Sequence, residues 1–248
     1  MPYVAVSALS HPGLLRDRNE DSLVIGPWTL CATVTESPQT LVFPLGTPLV
    51  VAVADGLGGH PGGEVASALV ARRIASIGPA LSSEDAVRSA LNACNRAVFE
   101  AAGDEESELA TMGTTVAGVV VQRDSLLVFN IGDSRVYAAS RGTLRQVSVD
   151  DNPPLEPGQR TTSVVTQCLG GSSAHRAVVP HVTTESLSPG DRYLICTDGL
   201  TDPLTTDVLD EVLREHDDGR AAFELWKAAI EAGGPDNITL AVVRVGDE

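Results

Sequence analysis

Apolar runs of strand length punctuate this chain. Leu49–Ala54, 115–121, 126–131 continued by 135–139, 192–197 and 238–245 are rich in β-branched residues and bounded by turn formers. That is the pattern of buried strands. Arg123-Asp124 reads as a hairpin turn between two of them, and short consecutive strands with tight turns predict antiparallel sheets. Two stripes of helical spacing intervene. From Gly63 to about Ile77, Ala66, Val70, Ile74 and Ile77 fall on one face. From Ser83 to about Ala102, Val87, Leu91, Cys94 and Val98 do the same. Ser82, with Asp85 three residues on, predicts the cap of that second helix. A third helical region covers roughly 205–232, interrupted near Asp218-Gly219. Two stretches fit no regular element. Residues 33–48, with Pro38, Pro44 and Pro48, read as a loop or loose hairpin; residues 148–164, with Asn152-Pro153-Pro154, read as a flexible surface loop.

The blocks run strands, helices, strands, helices, strand. That order predicts one domain over 1–248, with sheets between helical layers. Hydrophobic residues make up 43% of the 248, enough for a full core. Trp28 and Trp226 are expected inside it. No run of 18 apolar residues predicts membrane insertion, and no basic-then-apolar segment at the start predicts a secretory leader. The four cysteines, Cys31, Cys94, Cys168 and Cys196, are far apart and read as free thiols of a reducing cytoplasm. Net charge is −16, which excludes nucleic acid as a partner, since a phosphate backbone needs clustered Lys and Arg.

The candidate chemistry sits where the strands end. Leu49–Ala54 runs into Asp55-Gly56, and 192–197 runs into Asp198-Gly199. Asp236 follows Gly233-Gly234-Pro235 and precedes the last apolar run. Three carboxylates at the rim of a buried sheet repel each other unless a cation lies between them, so they point to a hard-metal site. Asp55-Gly56-Leu57-Gly58-Gly59-His60 lacks the Lys-Ser/Thr of a phosphate-binding loop and the spacing of a dinucleotide loop. Arg16, five residues before Asp21, suits a guanidinium gripping phosphate beside a metal-holding carboxylate. Asn130–Arg135, by its residues alone, reads as a hairpin turn, and Met112–Thr115 as a strand entry.

Taken in order, Arg16-x-x-Asn19-Glu20-Asp21, Asp55-Gly-x-Gly-Gly-His60, Gly113-Thr-Thr115, Gly132-Asp133-Ser-Arg135, Thr197-Asp198-Gly199 and Gly234-x-Asp236-Asn237 resemble the bacterial metal-dependent Ser/Thr protein phosphatases of type 2C. The resemblance implies an α+β fold: a four-layer αββα sandwich of two antiparallel sheets with helices on both outer faces. It implies two Mn2+ or Mg2+ ions as cofactors. Asp55 would bridge them, with Asp198, Asp236 and the Gly56 carbonyl completing their shells. Glu20 and Asp21 would act through water, and Asp133 would hold a possible third ion. Arg16 would bind the substrate phosphate, and His60 is the candidate general acid. A metal-activated hydroxide would attack phosphorus directly, without a phosphoenzyme. Expected partners are phosphorylated proteins, substrates of a Ser/Thr kinase.

This chain departs from that pattern at two places. The gap from Asp21 to Asp55 is longer, with the extra length at 33–48. The flap-like loop at 148–164 is short and rich in proline, and begins Asp150-Asp151-Asn152 where an Asp-His pair is usual. Both leave two further readings open: a hydrolase of small phosphate esters, or a non-catalytic binding module on the same fold.

Overall fold

The computed structural model describes residues 1–57, 62–140, 143–155, 158–159 and 161–247. Its strands are β1 (Tyr3–His11), β2 (Ser22–Ile25), β3 (Trp28–Cys31), β4 (Gln39–Pro44), β5 (Leu49–Ala54), β6 (Gly113–Thr114), β7 (Val116–Val121), β8 (Ser125–Ile131), β9 (Arg135–Ser140), β10 (Thr143–Gln146), β11 (Leu169–Gly170), β12 (His181–Ser186), β13 (Arg192–Cys196) and β14 (Ile238–Gly246). The helices are α1 (Gly63–Ile77), α2 (Glu84–Ala102), α3 (Asp198–Thr201), α4 (Thr206–Glu215) and α5 (Asp218–Glu231). One six-stranded sheet has the order β10-β9-β13-β14-β1-β4 and the other β12-β8-β7-β5-β2-β3; the short pair β11-β6 stands apart. Every pairing is antiparallel.

Side-chain parity divides the interior into three layers. Leu49, Val51 and Val53 of β5 join Val4 and Val6 of β1 and Ile195 of β13 between the sheets. Val50 and Ala52 point the other way, onto Val70 and Ile74 of α1 and Leu91 of α2. Leu194, Leu240 and Val242 of the first sheet meet Leu209 of α4 and Leu225 of α5. Both faces of β5 are therefore dry, which is why it reads as an unbroken apolar run. The result is the expected αββα sandwich. A fully buried Val or Leu contributes about 1.5–3 kcal/mol, so the three layers supply most of the driving force for folding.

The register sets the site. Ala54 of β5 lies opposite Ser22 of β2, Ile131 of β8 opposite Val116 of β7, Arg135 of β9 opposite Cys196 of β13, and Ile238 of β14 opposite His11 of β1. All these strand ends share one end of the sandwich, and each is followed or preceded by a candidate residue.

Several expectations need correction. The 33–48 stretch is not a loop throughout: Gln39–Pro44 forms β4, an edge strand on β1. An edge tolerates the prolines around it because its outer N–H groups need no ladder partner. Ser83, not Ser82, caps α2, its hydroxyl accepting from Ala86 N–H. The helical break lies at 216–217, and Asp217 caps α5. Asn130–Arg135 is no hairpin turn. It carries the chain from β8 in one sheet to β9 in the other. Trp28 is 64% exposed on the edge strand β3 rather than buried. Trp226 packs against the α4–α5 layer as expected.

Candidate active site

Asp55 leaves the end of β5, and the neighbouring β6–β7 segment holds it. Thr115 N–H donates to the Asp55 carbonyl at 2.9 Å and Thr114 Oγ1 does so at 2.7 Å; Asp55 N–H in turn donates to Thr115 Oγ1 at 3.3 Å. These three bonds fix the main chain of Asp55, which lines the cleft. Gly56 and Gly63 touch so closely that a Cβ on Gly56 would come within 2.5 Å of the Gly63 main chain. A Cβ on Gly63 would come within 2.5 Å of Glu20 Oε2. Glycine there lets the start of α1 approach Glu20, placing the positive end of the helix beside that carboxylate.

Asp198 opens the short helix α3 directly after β13. Asp236 precedes β14, and Arg16 Nη2 donates to its Oδ2 at 2.7 Å. Asp21 is fully buried, with Thr197 Oγ1 on its Oδ2 at 3.0 Å. Asp133 stands on the crossover, where Gly132 at φ 97° brings the chain against Thr115; a Cβ there would lie 2.6 Å from Thr115 Cγ2. One cleft of about 780 Å³ is lined by Arg16, Glu20, Asp55, Gly56, Asp133, Asp198 and Asp236. Asp21 does not line it but is buried beside Glu20, and a smaller cavity of about 300 Å³ continues past Asp133 and Asp198 to Asp202. His60 lies outside the described residues.

The electrostatics are those of carboxylates crowded at low dielectric. Burial, then the charges of Asp198 and Asp21, push Asp55 well above the carboxylate range. Burial, then Asp133 and Asp202, push Asp198 up to about 8. Asp21 rises to about 7, again chiefly through burial. Glu20 and Asp133 shift in the same direction for the same first cause, and Asp202 rises to about 6. Two acceptor atoms, Asp21 Oδ1 and Asp198 Oδ1, are buried with no hydrogen-bond partner among the described residues. Such atoms cost about 1–3 kcal/mol each, more when charged. Among the described residues no three of these groups close into a finished ligand cage. Arg16 holds Asp236, while the charge of Asp198 adds to the upward shift of Asp55. Hard oxygen donors, mutually repelling and with unspent acceptor atoms, fit divalent Mn or Mg.

Several residues to which the sequence assigns no role position the site. Asn237 accepts from Glu20 N–H at 2.7 Å and donates to the Arg18 and Pro12 carbonyls, fixing the Arg16–Glu20 segment over the cleft. Thr197 links Asp21 to β14, since Thr239 N–H donates to its hydroxyl. Asn152 of the flap-like stretch donates to Asp133 Oδ2 at 3.1 Å. Asp202, one turn after Asp198, returns its N–H to the Asp198 carbonyl. The i, i+4 spacing of the two aspartates is the only trace it leaves.

Comparison with known proteins places this geometry. The protein phosphatase 2C family model matches residues 42–228. The chain is 33% identical over 97% of its length to the serine/threonine protein phosphatase PstP of Mycobacterium tuberculosis, and spans 45% of that protein. It is 28% identical over 78% of its length to the serine/threonine phosphatase stp of Listeria welshimeri, covering 83% of that protein. The solved catalytic domain of PstP in complex with two manganese ions superposes with a TM-score of 0.79 at 30% identity, both chains covered completely. PppA of Pseudomonas aeruginosa, described as a regulatory component of a type VI secretion system, superposes at 0.79 with 27% identity and 98% of each chain covered. With the described aspartates of its motifs at one end of an αββα sandwich and a family match over most of its length, this chain belongs to the protein phosphatase 2C family.

Proposed function

We propose that this chain is a metal-dependent phosphoserine/phosphothreonine protein phosphatase. The observation that carries the reading is the convergence of Asp55, Asp198, Asp236, Asp133 and Glu20 with Arg16 on one cleft, above two buried acceptor atoms without partners. Asp55, Asp198, Asp236 and the Gly56 carbonyl would hold two Mn2+ or Mg2+ ions, with Glu20 and Asp21 acting through water and Asp133 toward a third; such ions would supply Lewis-acid charge and lower the pKa of a bound water.

The protein's own groups do the rest. Arg16, tied to Asp236 at 2.7 Å and half exposed, is placed to exchange that carboxylate for a substrate phosphate; its planar fork matches phosphate oxygens. Asn237 keeps Arg16 and Glu20 in register. No thiol serves as a nucleophile: burial raises Cys168, which lines the cleft, to about 11, and Cys196, two residues before Asp198, to about 12.

Leu15 and Val164, 73% and 57% exposed, stand on the walls of the cleft. They give it apolar contact surface beyond the phosphate, which suits a protein chain better than a small ester. The substrates in this reading are phosphoproteins made by a Ser/Thr kinase in the cytoplasm. Four unpaired thiols fit that compartment, and no helix among the described residues is long and apolar enough to cross a membrane.

Hydrolysis of a phosphothreonine peptide and of an aryl phosphate, each with Mn2+ and with EDTA, tests the reading. Metal-dependent turnover of the peptide is expected. Turnover of the aryl ester alone favours the small-ester reading, and no turnover of either favours the non-catalytic one.

A further inference from the structure

The longer 33–48 stretch does not reach the catalytic cleft. Its β4 strand and the following turn instead wall a second cavity of about 590 Å³ at the opposite end of the sandwich. Pro27, Phe43, Pro44, Pro48, Leu49 and Pro79 give this cavity an apolar lining. Leu49 opens β5 and Asp55 follows its last residue, so about 20 Å of strand separates the cavity from the catalytic aspartates. The volume falls within the roughly 300–1,000 Å³ typical of small-molecule sites.

The polar side of the cavity carries a cation. Arg72 of α1 lines it, and no ion pair or hydrogen bond takes its guanidinium among the described residues. In a chain of net charge −16 a free guanidinium at an apolar hollow is a local exception to the prevailing field. Ser76, one turn along the same helix, adds a hydroxyl at the rim, its proton donated to the Arg73 carbonyl at 2.7 Å. An apolar interior, one cation and a few neutral hydroxyls match a ligand with an apolar body and a single acidic head.

We propose that this cavity binds a small amphipathic anion, an aromatic or aliphatic body bearing one carboxylate, sulfonate or phosphate. The site stands independently of the phosphatase reading, because none of its residues lines the catalytic cleft.

Anilinonaphthalene sulfonate is the probe, titrated into the folded protein in EDTA, where the acidic cleft repels anions. Saturable binding of one probe per chain is expected. Decanoate should displace it, and decyltrimethylammonium at the same concentration should not. Arg72→Gln should weaken binding roughly ten-fold, the scale of a lost charge-assisted hydrogen bond. Ser76→Phe, on an exposed helical position, should fill the mouth and abolish binding. Absence of saturable binding, equal displacement by the cationic amphiphile, or unchanged affinity in both variants would overturn the proposal. The displacement arm uses unsubstituted protein and so stands whatever the variants do.

Discussion

At the scale of single residues, Asp198 shows how a site can be costly to fold. Burial and the neighbouring Asp133 and Asp202 raise its carboxyl to about 8, and Asp21 reaches about 7. Both lie above the ordinary 3.8 of an unfolded aspartate. Between pH ~4 and ~8 the folded, metal-free protein thus holds more protons than the unfolded chain, and its stability falls as pH rises through that window. Thermal melts in EDTA should show a lower Tm at pH 8.5 than at pH 5. Asp198→Asn, which removes the buried charge and keeps the shape, should raise the metal-free Tm at pH 8.5 and abolish the further rise that Mn2+ gives the unsubstituted protein. A metal-free Tm that climbs with pH would contradict the crowding of carboxylates. Asn237 acts through others: it accepts from Glu20 and donates to the Arg18 carbonyl. Asn237→Ala should raise the Mn2+ concentration for half-maximal activity by about 10–100-fold, with a much smaller change in saturated kcat, the usual penalty for losing a group that orients ligands. Equal half-saturation would assign Asn237 to the turn alone. Asp55 and Asp198 were legible in the sequence because an apolar strand ending in Asp-Gly is a distinctive phrase. The positioning roles of Asn237, Thr197 and Asn152 were not, because Asn and Thr beside turns are ordinary turn chemistry.

Among elements, one carboxylate adds a charged tie to the apolar packing of α5 on its sheet. Asp218, in the first turn of α5, faces Arg192 of β13 and Arg244 of β14, each at 2.7 Å. Arg192 is 5% exposed and donates also to the Leu213 carbonyl at the end of α4. The Arg192 contact has ion-pair distance without hydrogen-bond angles, so the Arg244 contact is the better-formed of the two. Asp218→Ala leaves two guanidinium groups facing each other under α5. Urea denaturation should show a loss of about 3 kcal/mol, the scale for breaking a buried pair from one side; a loss under 1 kcal/mol would mean that solvent already screens the cluster. Elements such as α1 and β5 were readable because their apolar spacing is strong. β2 and β3 escaped notice because each is four residues long. The crossover at 131–135 was misread for a deeper reason: a local turn pattern does not record which sheet the next strand joins, and only the packing of β9 against β13 decides it.

For the molecule as a whole, the αββα order was legible because the alternation of strand blocks and helix blocks leaves few ways to cover both sheets. What the sequence concealed is the use of its two ends. One end gathers carboxylates from five separate strand termini into the cleft. The other is closed by the 33–48 stretch around an apolar cavity. Neither grouping exists until the register aligns the strands, so neither has a local signature. The central claim is that the acidic end is a binuclear metal site organised around Asp55. The most direct test counts Mn2+ bound per chain at pH 7.5 by titration calorimetry, with Asp55→Asn alongside. Two ions per chain are predicted for the unsubstituted protein, with a weak third permitted by Asp133, and binding in Asp55→Asn should drop to one weak ion or none. An unsubstituted chain that binds no Mn2+, or an Asp55→Asn chain that binds as the unsubstituted one does, would contradict the account.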